Sequence, residues 1–219
     1  TFEEANAAVG SIDDVNGGDG TYGLRYTLAD AFGSGVKVDA MYFWSAGAGD
    51  SATEKGGNAG AAGNEDAYEV TLTGAIPGVE GLSAGVGYAK INKSSTETAG
   101  VNDLDQDEGT YYVKYAVGGF TLGYQRGVVE TAGASSTTFD NEYMGVSYAV
   151  SDNLSISYNE IESNKNADGL NIDQDMDSIS LSYTMGGMTL GILDAEADNA
   201  AYNTGRTQTA TSVQMTIAF

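Results

Sequence analysis

Carboxylates are the most abundant reactive groups in this chain, and they decide which chemistries are open to it. Of 219 residues, 31 are Asp or Glu and nine are Lys or Arg, for a formal charge of −22, with neither His nor Cys present. Zinc sites built on His or Cys, thiol nucleophiles and His-based triads therefore have no residues to form them. No Gly-x-Ser-x-Gly elbow or phosphate-cradling loop occurs, so enzymatic activity is not expected. Nucleic acid is excluded as a partner, because its phosphates need basic surface. Carboxylates can still hold hard cations, and two runs invite that test. In Asp103-Leu-Asp105-Gln-Asp107-Glu108 a Gly stands at the seventh position, Gly109, and Lys114 occupies the twelfth. The run Asp173-Gln-Asp175-Met-Asp177 has neither the Gly nor the Glu of a calcium loop, so neither run is an EF-hand. Carboxylates can also act as fixed charges on passing solutes. Arg25, Lys37, Asp39, Glu69 and Lys114 each stand between apolar residues two apart, the spacing that puts a charge on one face of an extended segment.

The elements that must position these charges are short segments of strict alternation. Residues 21–29 set Tyr22, Leu24, Tyr26 and Leu28 against Gly23, Arg25 and Thr27; residues 36–46 set Val36, Val38, Ala40, Tyr42 and Trp44 against Lys37 and Asp39. The same pattern returns around Tyr68-Val70-Leu72, Leu82-Ala84-Val86-Tyr88, Tyr111-Val113-Tyr115-Val117, Phe120-Leu122-Tyr124, Met144-Val146-Tyr148-Val150, Leu154-Ile156-Tyr158, Ile179-Leu181-Tyr183-Met185 and Met188-Leu190-Ile192. The eleventh segment, residues 211–219, places Val213, Met215, Ile217 and Phe219 on one side. Short connections (Ile76-Pro-Gly-Val-Glu-Gly81, Gly118-Gly119, Ser151-Asp-Asn153, Gly186-Gly187) alternate with long ones read as loops at 47–67, 92–109, 131–141, 162–177 and 195–206. Those five loops and residues 1–20 hold 22 of the 31 acidic residues.

Two environments compete for the apolar stripes. In a soluble or surface-attached all-β module, such as an adhesin-like sandwich, they would meet in a dry core. In a membrane barrel they would face lipid, and the Ser, Thr, Gly, Asn and Gln of the other face would line water. Three features favour lipid. Short and long connections sort to opposite ends, which a sandwich does not require. Eleven of the 14 tyrosines (Tyr22, Tyr26, Tyr42, Tyr68, Tyr88, Tyr111, Tyr115, Tyr124, Tyr148, Tyr158, Tyr183) lie on the stripes, many near segment ends where a ring is apolar and a hydroxyl wet. Stripe interiors carry no charge. The expected fold class is an all-β, transmembrane antiparallel β-barrel with eleven recognisable strands. Aromatics on the polar side are few (Phe43, Tyr112, Tyr143), which argues against a sugar-specific aromatic track.

The alternating final segment with Phe219 last resembles the closing strand of bacterial outer-membrane β-barrels, where that pattern is the signal read by the barrel-assembly machinery. As a whole the chain resembles a Gram-negative general diffusion porin, in the acidic, Gly-rich style of α-proteobacterial porins, over its C-terminal two-thirds or so. The resemblance implies a single domain, 1–219, belonging to a 16-stranded, homotrimeric outer-membrane barrel. Residues 21–219 would be strands six to sixteen, and 1–20 the end of the constriction loop folded into the lumen. Glu3, Glu4, Asp13 and Asp14 would then oppose the basic groups on the wall across a transverse field. The implied function is a water-filled, cation-preferring channel for passive diffusion of ions and small hydrophilic solutes, with no cofactor required. Lipid and lipopolysaccharide are the implied surroundings. Ca²⁺ shared between Asp103, Asp105, Asp107, Glu108, Asp173, Asp175, Asp177 and lipopolysaccharide phosphates is a subsidiary expectation. The first five strands of such a barrel have no counterpart in this sequence.

Overall fold

A computed structural model describes residues 22–44, 64–93, 105–131, 137–167 and 169–217. Eleven strands form one antiparallel sheet in which each strand pairs only with its neighbours in sequence, in the order β1 to β11. They are β1 (Tyr22–Leu28), β2 (Val36–Trp44), β3 (Asn64–Ala75), β4 (Leu82–Lys93), β5 (Gln106–Val117), β6 (Phe120–Thr131), β7 (Thr137–Ser151), β8 (Leu154–Ala167), β9 (Leu170–Met185), β10 (Met188–Asp198) and β11 (Gln208–Ile217). All eleven segments expected from the alternation are present. No helix among the described residues is long and apolar enough to cross a membrane, which says nothing about crossing by strands.

The short connections form for local reasons. Pro77 and Gly78 occupy the centre of a turn closed by the Val79 N–H donating to the Ile76 carbonyl at 3.3 Å, with Gly78 at φ +82°. That is the type II arrangement, in which the third residue must be left-handed and Pro pre-sets the second. Gly118 (φ +57°) and Gly186 (φ +60°) take the first central position of two-residue hairpins, where a positive φ suits the twist of the flanking strands.

Several strands run beyond the expected boundaries. The stretch 162–177, read as a loop, belongs almost wholly to β8 and β9; similarly β4 continues to Lys93, β5 begins at Gln106, β7 at Thr137, and β10 reaches Asp198. The error has a physical source. An apolar stripe marks only the part of a strand solvated by hydrocarbon, and beyond it alternation continues in polar residues. A crossing needs about 9–11 tilted residues, whereas β7, β8 and β9 have 15, 14 and 16. Many acidic residues expected in loops therefore stand on strand ends.

The chain divides into two compact units. The first comprises Thr1–Gly74, Gly85–Tyr111 and Val128–Thr138; its register pairs Leu24 with Tyr42 and Thr27 with Asp39, and Asp39 with Thr71. The second comprises Ala75–Ala84, Tyr112–Gly127 and Phe139–Phe219; it pairs Ile156 with Leu181, Tyr158 with Ile179 and Ile192 with Val213. Apolar and polar positions thus stay on separate faces from strand to strand.

Burial is inverted relative to a soluble protein. Val213 is 69 % exposed and Leu24 68 %, while Asp39 is 6 %, Glu69 4 % and Ser163 1 % exposed. Val86, Tyr88, Tyr111, Val113, Ile156 and Ile179 are exposed as well. Burying an apolar side chain is ordinarily favourable by about 1.5–3 kcal/mol, so a stripe left open on strand after strand requires a non-aqueous solvent. This overturns the sandwich alternative, whose apolar faces would have met in a dry core.

Candidate functional site

In the first unit, β1, β2 and β3 bring four of the expected wall charges onto the polar face. Asp39 is the hub. Its Oδ1 accepts from Arg25 Nη2 at 3.1 Å, Arg25 Nε at 3.3 Å and Thr27 Oγ1, and its Oδ2 pairs with Lys37 Nζ at 2.5 Å. The cause is register: Thr27 lies opposite Asp39, Arg25 sits two residues before Thr27, and Lys37 two before Asp39. The Asp39 side chain is almost enclosed, whereas Arg25 and Lys37 keep about half of theirs open. Two cations converge on one carboxylate, and with Glu69 on the same face the four charges balance. Glu69 is buried on the same face, opposite Met41. Alternation put Thr27 on this face but gave no sign of its role, which arises only from cross-strand pairing.

Lys114, in the second unit, is exposed on β5 and makes no ion pair among the described residues. Glu3, Glu4, Asp13 and Asp14, with all of residues 1–20, lie outside the described residues, as do Asp103 and Phe219. Val213, Met215 and Ile217 form one exposed face of β11.

The acidic runs are engaged elsewhere. Asp105 pairs with Lys90 at 3.1 Å, Asp107 accepts from the Tyr88 hydroxyl, and Glu108, on the other face, accepts from Gln106. Asp173 accepts from Asn164, and Asp177 from the Tyr158 hydroxyl at 2.6 Å. Among the described residues no three acidic groups converge as a metal site.

These contacts instead draw a boundary on the apolar face. In the first unit Tyr42 donates to Asp66 at 3.0 Å and Tyr88 to Asp107; in the second, Tyr158 donates to Asp177, and Arg126 grips Asp140 with two bonds of 2.9 and 2.6 Å. On β8, β9 and β10 the apolar positions Tyr158, Ile179 and Ile192 give way to Glu160, Asp177 and Asp194. A tyrosine with its ring toward the stripe and its hydroxyl on a carboxylate marks where an apolar medium gives way to water.

No family model matches the chain, and no curated sequence does. Solved structures do. The chain is similar to the outer-membrane channel DcaP of Acinetobacter baumannii, with a TM-score of 0.65 at 14% identity, covering 88% of this chain and 60% of that one. It is also similar to outer-membrane expressed OmpT of Vibrio cholerae, with a TM-score of 0.56 at 14% identity over 88% of this chain and 61% of that one. The in-vitro folded trimer form of the same protein gives 0.57 at 13% identity, with coverages of 88% and 61%. The fold is that of an outer-membrane antiparallel β-barrel. The chain spans about three-fifths of the length of these structures.

Proposed function

We propose that the chain is the greater part of an outer-membrane channel through which ions and small hydrophilic solutes diffuse passively. The observation that carries this reading is the inversion of burial: an exposed apolar face on strand after strand, backed by a polar face bearing Arg25, Lys37, Asp39 and Glu69. In a closed barrel the first face meets hydrocarbon and the second lines water, and closure is needed because lipid cannot satisfy an open strand edge. The likeness in fold to an outer-membrane channel supports the reading.

The finer version is a general diffusion porin of the α-proteobacterial type, trimeric and cation-preferring, with no cofactor and no enzymatic activity. The charge of −22 supports cation preference, since an acidic wall concentrates cations through potentials of several kT. Val213, Met215 and Ile217, with Phe219, would be read by the insertion machinery, and lipopolysaccharide would surround the acidic strand ends. The test is reconstitution of the full-length protein in planar bilayers. Stepwise conductance with a reversal potential favouring K⁺ over Cl⁻ is expected. A protein that dissolves without detergent and never conducts would refute the proposal.

A further inference from the structure

Past the tyrosine boundary, the second unit turns its apolar side chains to the opposite face. On β8 and β9 Ile161 pairs with Met176, while the flanking positions Glu160, Glu162, Asp175 and Asp177 occupy the face that was apolar before. Ile161 and Tyr143 are buried there. A wall wetted by a channel would not bury such groups unless something covered them.

The cover is the connection between β10 and β11. Asn199, Ala201 and Tyr202 hold φ of 49°, 57° and 57°, a left-handed backbone that residues other than Gly keep only where their surroundings impose it. Those surroundings are specific. Asn199 Nδ2 donates to the Asp173 carbonyl at 2.8 Å, and the Ala201 N–H donates to Gln174 Oε1 at 2.7 Å. The Tyr202 hydroxyl meets Ser163 Oγ at 2.7 Å, and the Ser163 hydroxyl donates to Asn141 Oδ1. The backbone of the segment thus docks on β9, and the Tyr202 side chain reaches on over the polar face to Ser163 on β8 and Phe139 on β7. The Tyr202 ring packs on Phe139 with centroids 5.6 Å apart, and Lys165 Nζ lies 5.5 Å from the Tyr202 centroid and 5.7 Å from that of Phe139. Ser163 and Asn141 on the strands, and Ala200 within the segment, are almost fully enclosed.

We propose that this connection is an inward-folded constriction at one end of the channel, and that Tyr202, pinned to Ser163, sets the largest solute that passes. This rests on the channel reading above. The segment occupies cross-section that solutes would otherwise use, and its docking is a hydrogen-bond chain and an aromatic stack rather than a covalent tie. Bulky neutral solutes, such as oligosaccharides, are held back more than small ions.

The full-length protein provides the test, in planar bilayers and in liposome swelling with sugars of increasing size. Tyr202→Ala removes the pin from the loop side; the double variant Asn141→Ala/Ser163→Ala removes it from the wall and leaves the loop intact. Heat-modifiable migration checks that each folds. Both variants should raise single-channel conductance and admit larger sugars than the parent. Parent-like conductance and an unchanged sugar cut-off in folded variants would overturn the constriction. A parent protein that does not conduct at all would defeat the channel reading, and the constriction with it.

Discussion

Asp39 has a structural role and, on the proposed reading, a functional one. Arg25, Thr27 and Lys37 all converge on it, so it holds the side chains of neighbouring strands together as well as setting the local charge. Replacing it by Asn keeps the shape and removes the negative charge that Arg25 and Lys37 share. The proposed cation preference should therefore weaken in Asp39→Asn. In a KCl gradient the reversal potential should move toward that of an unselective pore, and an unmoved potential would take this cluster out of the selectivity mechanism. Lys37→Met should act in the opposite direction. The individual charges were legible from parity alone. Their convergence was not, because it depends on which residue of β2 faces which residue of β1, and alternation leaves that register open. Asn141 and Ser163 were missed because polar residues beyond the apolar stripe give no periodic signal strong enough to separate strand from loop, and Tyr202 because nothing in a loop's sequence shows which strands it docks on.

At the level of elements, the strands are long, and their two ends face different solvents. Val86 stands exposed within the apolar stripe of β4, and Glu160 lies just past the boundary on β8. Val86→Arg should destabilise the folded protein by about 2–4 kcal/mol, while Glu160→Arg should cost no more than about 1 kcal/mol, as for a basic residue near the interface. Denaturant titration in lipid vesicles would measure both, and equal costs would mean that the boundary is misplaced. The turns make a second prediction. Gly81 sits at φ +79°, its carbonyl accepts from the Ala116 N–H at 2.8 Å, and a Cβ would run into the Ala116 carbonyl oxygen. Gly81→Val should cost at least about 1–2 kcal/mol from the left-handed backbone alone and lower the temperature at which heat-modifiable migration is lost. All eleven strands could be found from period-two alternation, because lipid enforces it. Their true lengths could not, since Glu160-Ile161-Glu162-Ser163 alternates without a stripe that reads as apolar.

For the whole molecule, the large acidic excess is a long-range property, and salt should tune it. The Debye length is about 3 Å at 1 M and about 10 Å at 0.1 M, so the wall's field reaches further into the channel in dilute electrolyte. The proposed cation preference should accordingly grow as KCl is lowered, and selectivity independent of salt would point to short-range contacts instead. Extraction from membranes should require detergent, because the exposed stripes have no aqueous equilibrium of their own.

The nearest-neighbour order of the sheet has an evolutionary consequence. Since no strand among the described residues pairs with any but the one before and the one after it, a hairpin can be gained or lost without re-pairing the others. Circumference is then free to drift in a lineage while the local grammar of greasy and wet positions persists. The likeness in fold to DcaP holds at 14% identity, so the same pattern of greasy and wet positions is compatible with very different wording.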